Sequence, residues 1–283
     1  MQSKNRRWLP HLEKEVLSSV HGSNICMYSI ALEGWRRGLT LEIYRKKENE
    51  VCYILSSKKR THHFNRSRGD LVTDEAVTIC KNKHLTKEYL SNAGVPIPEG
   101  KRFKSDARFE DILNYVRLLG FPVVLKPTSG SMGKGVISNI QEEKSLKEAF
   151  LNMYNETNYY NDFIVEKFIP GEDYRIYVID DKVVGAIKRI PANVTGDGVN
   201  TIEDLISMKN KQRKNNPFMA KSLIKMDQEV LQFISRAGYT PTSVLPKGET
   251  LYLRAKCNAA AGGDSIDATD ILSPEIKKIL NYS

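Results

Sequence analysis

Apolar residues at helical spacing open the chain. In LEKEVLSSV and ICMYSIALEGWRRG they fall three to four positions apart, and Gly38 is placed to end the second helix. The pattern then changes to alternation: LTLEIYRK and VCYILSS read as neighbouring strands joined by the polar turn KENE. TDEAVTICKNKHLTKEYLSNAG predicts two helices, the first starting at Thr73 ahead of Glu75 and Ala76, the second ending at Gly94. The two prolines of VPIPEG enforce extended backbone after it.

From there helices and strands alternate. A helix is predicted at about 106–119, ending at Gly120, and the apolar strand PVVLKP leads into a glycine-rich loop. EEKSLKEAFLNMYNE reads as a helix, DFIVEKFI as a strand, and DYRIYVIDDKVVGAIKRI as a hairpin turning at DDK. TIEDLISMKN and MAKSLIKMDQEVLQFISRAG are predicted helices, ETLYLRAKC a last strand and DILSPEIKKIL a closing helix. Neither an internal repeat nor a low-complexity tract interrupts the pattern.

Composition narrows the class. The chain has 283 residues, 40% hydrophobic and 27% charged, which suits one large domain or two to three small ones with real cores. No stretch approaches the ~18 apolar residues that span a bilayer, so no membrane partner is expected. The amino terminus has basic residues without an apolar run behind them, so no secretory signal is expected. Cys26, Cys52, Cys80 and Cys257 lie far apart without a CxxC pair, as free thiols do in a reducing, cytoplasmic compartment.

The net charge of +9, from 43 basic and 34 acidic residues, suits nucleic acid or a polyanionic small molecule such as a nucleotide. The basic residues are densest at 58–68 (KKRTHHFNRSR) and 209–216 (KNKQRKNN). Neither cluster sits in a recognisable RNA-binding motif. The second reads as a solvated loop or helix face; the first stays open. Nucleic acid is not the favoured partner.

The stretch FPVVLKPTSGSMGKGV raises the question of phosphate. A P-loop needs four residues between its glycines and Ser or Thr after its lysine. Here two residues separate Gly130 from Gly133, and Gly135 follows Lys134. A dinucleotide fingerprint fails as well. What remains is a glycine loop joining PVVLKP to GVISNI, able to fold over phosphates with its backbone amides. Alone, the plainer reading of a hairpin loop prevails. It is followed, however, by NDFIVEKFIPGEDYR. There Glu166 ends a strand, backbone at 167–169 could meet an adenine edge, and Asp173 could take ribose hydroxyls. Surface charges flanking a Pro-Gly turn are the alternative.

In order, the chain carries NKHLTKEYLSNAGVPIPEG, FPVVLKPTSGSMGKGV, FIVEKFIPGEDYRIYVI, VVGAIKRIPANVTGDGVNTIEDLI and LYLRAKCNAAAGGDSIDATD. Over about 79 to 273 it resembles the ATP-grasp superfamily, and within it the branch of cyanophycin synthetase and the fused bacterial glutathione synthetases. The resemblance implies an α+β fold, two α/β subdomains clamping ATP. Residues 1–80 would form a small α/β leader, 81–165 the amino-terminal ATP-grasp subdomain with the glycine loop, and 166–283 the carboxy-terminal one.

It also implies roles. Lys83 and Lys126 would contact the α- and β-phosphates, and the loop of Ser129, Gly130, Ser131, Met132, Gly133 and Gly135 would cover them. Glu166 with the backbone of Lys167, Phe168 and Ile169 would hold adenine, and Asp173 the ribose. Arg175, Arg189 and Arg254 would face the phosphates or an acyl phosphate, where developing negative charge makes cations useful. Asn258 and the glycines after it would line the substrate side. For Arg175 and Lys83 a plain surface charge is an equal alternative. For Lys126, between buried-type residues and a proline, it is the poorer one.

The implied chemistry is ATP-dependent ligation of a small carboxylate, on an amino acid or small peptide, to an amine through an acyl phosphate, with Mg²⁺ bridging phosphate oxygens. The family holds magnesium with an Asp on one late strand and Glu-x-Asn on the next. Here the chain stops within about one helix of Asp270, and its sole Glu-x-Asn is Glu156-Thr157-Asn158, ahead of the adenine segment. The magnesium ligands are therefore unassigned, and Asp264, Asp267 and Asp270 read as turn-forming or helix-capping residues. The expectations are a shortened chain, a second polypeptide completing the site, or nucleotide binding with little turnover. Missing strands would leave a sheet edge for a partner chain or a homo-oligomer to cover. A nucleotide-binding module working through a partner is the second functional reading.

Overall fold

In the computed structural model, residues 24–47, 50–130, 133–156, 162–180 and 182–276 are described. The expected helix LEKEVLSSV and loop residues Ser131 and Met132 lie outside them, as do parts of KENE, DDK and the closing helix. Helices and antiparallel strands mix as an α+β fold. The chain forms two compact units. One is built from residues up to Thr73 with Ile190–Asp264, the other from Asp74–Arg189 with the residues from Ser265 on.

The first unit begins with α1 (Ile25–Arg36), closed by Gly38 at φ 89, a left-handed value that glycine adopts without strain. It packs on a four-stranded antiparallel sheet in the order β1 (Thr40–Lys47), β2 (Glu50–Ser56), β3 (Thr61–Asn65) and β4 (Arg68–Gly69). Ala31 of α1 buries against Tyr53 and Leu55, and Tyr53 stacks on Phe64 at 4.8 Å between ring centres. In the basic cluster at 58–68, Lys58, Lys59 and Arg60 precede β3, Arg66 lies in the turn after it, and Arg68 begins β4.

The second unit opens with α2 (Asp74–Lys81) and α3 (Lys83–Asn92). The side chain of Asn82 caps α3 by accepting from the amides of His84 and Leu85 at 3.0 and 3.2 Å. Next come β5 (Gly100–Lys104), α4 (Phe109–Leu119), β6 (Val123–Pro127), β7 (Ile137–Ile140), α5 (Glu143–Glu156) and β8 (Asp162–Lys167). Four of these strands make an antiparallel sheet in the order β5-β8-β6-β7. Its buried face, with Phe103, Val123, Leu125, Phe163 and Val165, meets Ile112 and Val116 of α4 and Leu146 of α5. Burying side chains of this size stabilises by about 1.5–3 kcal/mol each, so this core fixes β6 and β8. Strand β5 is absent from the pattern reading because GKRFK offers a single apolar position, Phe103, to the core.

The predicted hairpin forms as β9 (Asp173–Ile179) and β10 (Lys182–Ile190), in a three-stranded sheet with β13 (Asp264–Asp267) beside β10. One face packs Ala186 against Ala268 and Leu272; Tyr177, Ile179, Val184 and Ile266 are more than half exposed.

The remaining elements belong to the first unit: β11 (Asn193–Thr195), α6 (Ile202–Lys214), α7 (Gln228–Arg236) and β12 (Thr250–Tyr252), with β11 and β12 paired. Thr201 caps α6, and acidic residues in its first turn and basic ones in its last match its dipole. Three expectations need correction. MAKSLIKMDQEVLQFISRAG is not one helix: α7 starts at Gln228, where Asp227 accepts from the Val230 amide. Upstream, Asn210 of α6 donates to the Ile224 carbonyl and accepts from its amide, both at 2.9 Å, taking that peptide out of any helical ladder.

The basic run at 209–216 is not simply a solvated face. Lys209 and Arg213, one turn apart on α6, point inward to the two oxygens of Asp264, at 2.6 and 2.8 Å. Arg213, 3% exposed, also donates to the carbonyls of Ser222, Ala259 and Gly263. Asp264 is accordingly an ion-pair partner at the start of a strand rather than a turn or cap residue. Asp267 is a turn residue, accepting from the amide and hydroxyl of Thr269.

Candidate functional site

The second unit gathers most of the residues that the motifs single out. Helix α3 begins against the end of β6, because the Lys83 amide donates to the Thr128 carbonyl at 2.8 Å. That contact puts the Lys83 side chain beside the glycine loop, where its ammonium donates to the Gly130 carbonyl at 3.1 Å. Burial, and then the nearby charge of Lys126, push the Lys83 ammonium below its ordinary value. The two cations therefore share one neighbourhood.

Lys126 reaches it from β6. Val123 and Leu125 on the same strand are fully buried, whereas Lys126 points to the other face and ion-pairs with Glu166 across the sheet. Glu166 sits near the end of β8 with its side chain only 7% exposed. Its second oxygen accepts from Lys87 of α3 at 2.8 Å, and Lys87 also donates to the Pro98 carbonyl at 2.6 Å. Two cations thus compensate a buried carboxylate that would be costly alone.

Lys87 belongs to this cluster although none of the sequence motifs singles it out. Its signal is present in KHLTK: four residues after Lys83, it lies on the same helix face. Gly100 is required beside Glu166, since a Cβ there would meet the Glu166 Cβ at 2.5 Å and the Val165 carbonyl at 2.7 Å.

The loop after β6 has the geometry glycine allows. Gly130, Gly133 and Gly135 have φ of 107, 73 and 68 degrees, and Ser129 is exposed. After Glu166 the chain leaves the sheet in steps. The Lys167 amide donates to the Glu99 carbonyl at 2.8 Å and the Phe168 amide to Pro122 at 3.0 Å. The Lys167 ammonium turns away to the carbonyls of Gly120 and Phe121 at the end of α4. Two of the three amides at 167–169 are therefore used internally. Ile169, 60% exposed, has no such bond among the described residues.

On the β9–β10 hairpin, Asp173, Arg175, Ile187 and Arg189 share one face by register. Arg189 grips Asp173 with two bonds of 2.8 and 2.9 Å, so these two side chains hold each other. Arg175 is exposed and has no partner among the described residues.

Arg254 and Asn258 lie in the first unit. Arg254 is buried, pairs with Asp227 and Glu229, and keeps a buried Nε without a partner among the described residues. Burial alone would raise Asp227, but the Arg254 guanidinium and the Val230 amide outweigh it and hold that carboxyl low. Asn258 caps a short 3-10 turn, Ala259–Ala261, accepting from the Ala260 amide at 3.0 Å. Also in the first unit, Asp197 is held at about 2 by hydrogen bonds from Asn200 and the Val199 amide, which fixes the GDG turn. Among the described residues no group of three or more His, Cys, Asp or Glu side chains is placed to hold a metal ion. The expected magnesium therefore has no fitting ligand set in this part of the chain.

Residues 80–198, the span holding Lys83, Lys126, the glycine loop and Glu166, match the RimK-like ATP-grasp domain. This chain carries an ATP-grasp domain. Glutathione biosynthesis bifunctional protein GshAB of Desulfotalea psychrophila is 32% identical over 250 residues, covering 86% of this chain and 31% of its own length. Cyanophycin synthetase of Crocosphaera subtropica is 37% identical over 202 residues, covering 71% of this chain and 23% of its own. The chain thus spans a third or less of the length of these relatives. The crystal structure of a bifunctional glutathione synthetase from Pasteurella multocida matches the fold with a TM-score of 0.62 at 24% identity. That match covers 91% of this chain and 34% of the other. ATP-grasp domains bind ATP, typically with magnesium. Among the described residues no helix is long and apolar enough to cross a membrane.

Proposed function

We propose that this chain is the nucleotide-binding and carboxylate-activating part of an ADP-forming carboxylate–amine ligase. The placement of Lys83 beside Lys126 carries the reading. Two ammonium groups close enough to disfavour each other, one of them partly desolvated, gain most from a polyanion. The left-handed glycines of the adjoining loop let backbone amides approach the same anion. A triphosphate answers both features, while Glu166 and the Ile169 amide at the end of β8 suit an amine-bearing purine edge.

In the reaction, a substrate carboxylate oxygen attacks the γ-phosphorus of ATP. The bond to the β-phosphate oxygen breaks, giving acyl phosphate and ADP. An amine then attacks the acyl carbon, phosphate leaves, and the nitrogen loses a proton to form the amide. This chain's contribution is positioning and charge neutralisation by Lys83 and Lys126. Among the described residues Arg175 has no partner to give up in order to meet developing negative charge. Asp173 can take the ribose hydroxyls only by loosening its grip on Arg189. The names of the relatives, one in glutathione biosynthesis and one a cyanophycin synthetase, favour amino acids or small peptides as substrates.

Binding of ATP to wild type and Lys126→Ala, with ADP release measured over a panel of amino acids and small peptides, tests this. We expect the substitution to weaken ATP binding at least ~10-fold, in line with charge-assisted hydrogen bonds of about 1.5–3 kcal/mol. Unchanged affinity in the variant sinks the reading. Tight ATP binding without ADP release leaves a binding module that works with a partner.

A further inference from the structure

We propose that Lys87 is the positioning residue that makes the nucleotide site selective for a base carrying an exocyclic amine. The inference rests on the nucleotide reading above and concerns a residue that reading does not use. Without ligand, Glu166 has two cations: Lys126 on one oxygen and Lys87 on the other. If Lys126 turns to a phosphate, it leaves the carboxylate. Lys87 does not have that freedom. Its ammonium is fixed between Glu166 and the Pro98 carbonyl, and its side chain is 14% exposed.

Lys87 therefore remains as the counter-ion of Glu166 and holds its Oε2. The vacated Oε1 is left as a pure acceptor at the end of β8. A carboxylate can accept from the amine of adenine and has nothing to donate to a 6-oxo group. The geometry around it is rigid: Gly100 packs against Glu166, and the Pro98 segment is tied by the same ammonium.

Removing Lys87 would leave Glu166 dependent on Lys126 alone. Lys126 would then be harder to release to a phosphate. Once released, it would leave a buried carboxylate without a cation. The carboxylate would also no longer be held by its Oε2, so the oxygen that meets the amine loses its fixed position. Selectivity falls from both sides.

The experiment measures dissociation constants for ATP and inosine triphosphate, which carries oxygen in place of the amine, in wild type, Lys87→Met and Lys87→Arg. We expect wild type to prefer ATP and Lys87→Met to lose at least ~10-fold of that preference, the scale of one hydrogen bond to a charged group. Lys87→Arg should restore most of it. The ratio is taken within each protein, so a partly folded variant still reports it. Equal weakening of both nucleotides in Lys87→Met overturns the proposal and leaves the ATP site standing, as does an unchanged ratio. Failure of wild type to bind either nucleotide overturns both.

Discussion

Replacing Arg213 with Met tests the structural logic of the first unit most directly. The guanidinium is 3% exposed and serves four acceptors: Asp264 at 2.8 Å and the carbonyls of Ser222, Ala259 and Gly263 at 2.8, 3.3 and 3.1 Å. Burial disfavours its charge, and Asp264 opposes that effect. Methionine keeps the apolar stem and removes every donor. Asp264 retains Lys209 at 2.6 Å, so the carboxylate is not stranded; the three carbonyls lose the donor they share.

Breaking a buried pair costs about 3–5 kcal/mol, and an unsatisfied buried carbonyl about 1–3. With relaxation and partial access to water, we expect a loss of ~3–5 kcal/mol for Arg213→Met. Arg213→Lys should lose less, since it keeps the charge but not the fork. Lys209→Met should lose least, because that side chain is 22% exposed and Arg213 still neutralises Asp264. Urea unfolding gives the magnitudes. Hydrogen exchange at the Gly262 and Gly263 amides, bonded to Ala259 and Asn258, assigns them to this region rather than to the other unit. A variant within ~1 kcal/mol of wild type, with unchanged exchange there, would refute the assignment of Arg213 as the group that anchors 259–264.

Other outcomes follow from the same contacts. Lys83→Met should abolish tight ATP binding yet leave the protein as stable as wild type or more so, by thermal melting. The Lys83 ammonium is depressed in the fold, so its cost is present at neutral pH and relieved as pH rises toward its ordinary 10.5. The stability advantage of the variant should therefore shrink on the alkaline side. Gly100→Ala should cost about 1–3 kcal/mol as overpacking against backbone and weaken ATP binding by moving Glu166; an affinity equal to wild type would contradict that placement. Asp197→Ala should lower the melting temperature at pH 7. The carboxyl sits at about 2, below its ordinary 3.8, so its contribution is complete above the higher value and lost as pH falls through the lower. The two proteins should then melt alike near pH 2.

What the sequence makes legible is what is local. Asn82, Thr201 and Asp227 cap the helices they precede, and PVVLKP with GVISNI forms the antiparallel pair on either side of the glycine loop. These features depend on side chains within a few residues of one another, and a pattern reading sees them. Long-range pairings are another matter. Lys87 and Glu166 are 79 positions apart, and Arg213 and Asp264 are 51. On paper KNKQRKNN is hydrophilic throughout, and nothing in its spacing says which two of its cations turn inward. The overlong helix at 219–238 fails for the same reason. Its apolar spacing is compatible with a helix, but Asn210 and Arg213 from α6 claim the backbone at Ser222 and Ile224.

The same distinction bears on the proposed nucleotide site. Motif order brings Lys83, Lys126 and Arg189 to attention, but only the fold shows that each is already occupied: Lys83 by the Gly130 carbonyl, Lys126 by Glu166, and Arg189 by Asp173. Each of these is a protein oxygen standing where a ligand oxygen could stand, so binding is an exchange and not a simple gain. Net affinity is the difference between phosphate and internal partners, which for charge-assisted bonds is smaller than either alone. Exchange is tolerable only where the partner left behind stays satisfied. Gly130 returns to solvent, and Glu166 keeps Lys87. In the proposed site the lysines would be released to a triphosphate without leaving a buried charge uncompensated, and on that requirement Lys87 would be as necessary as the two lysines that the motifs display.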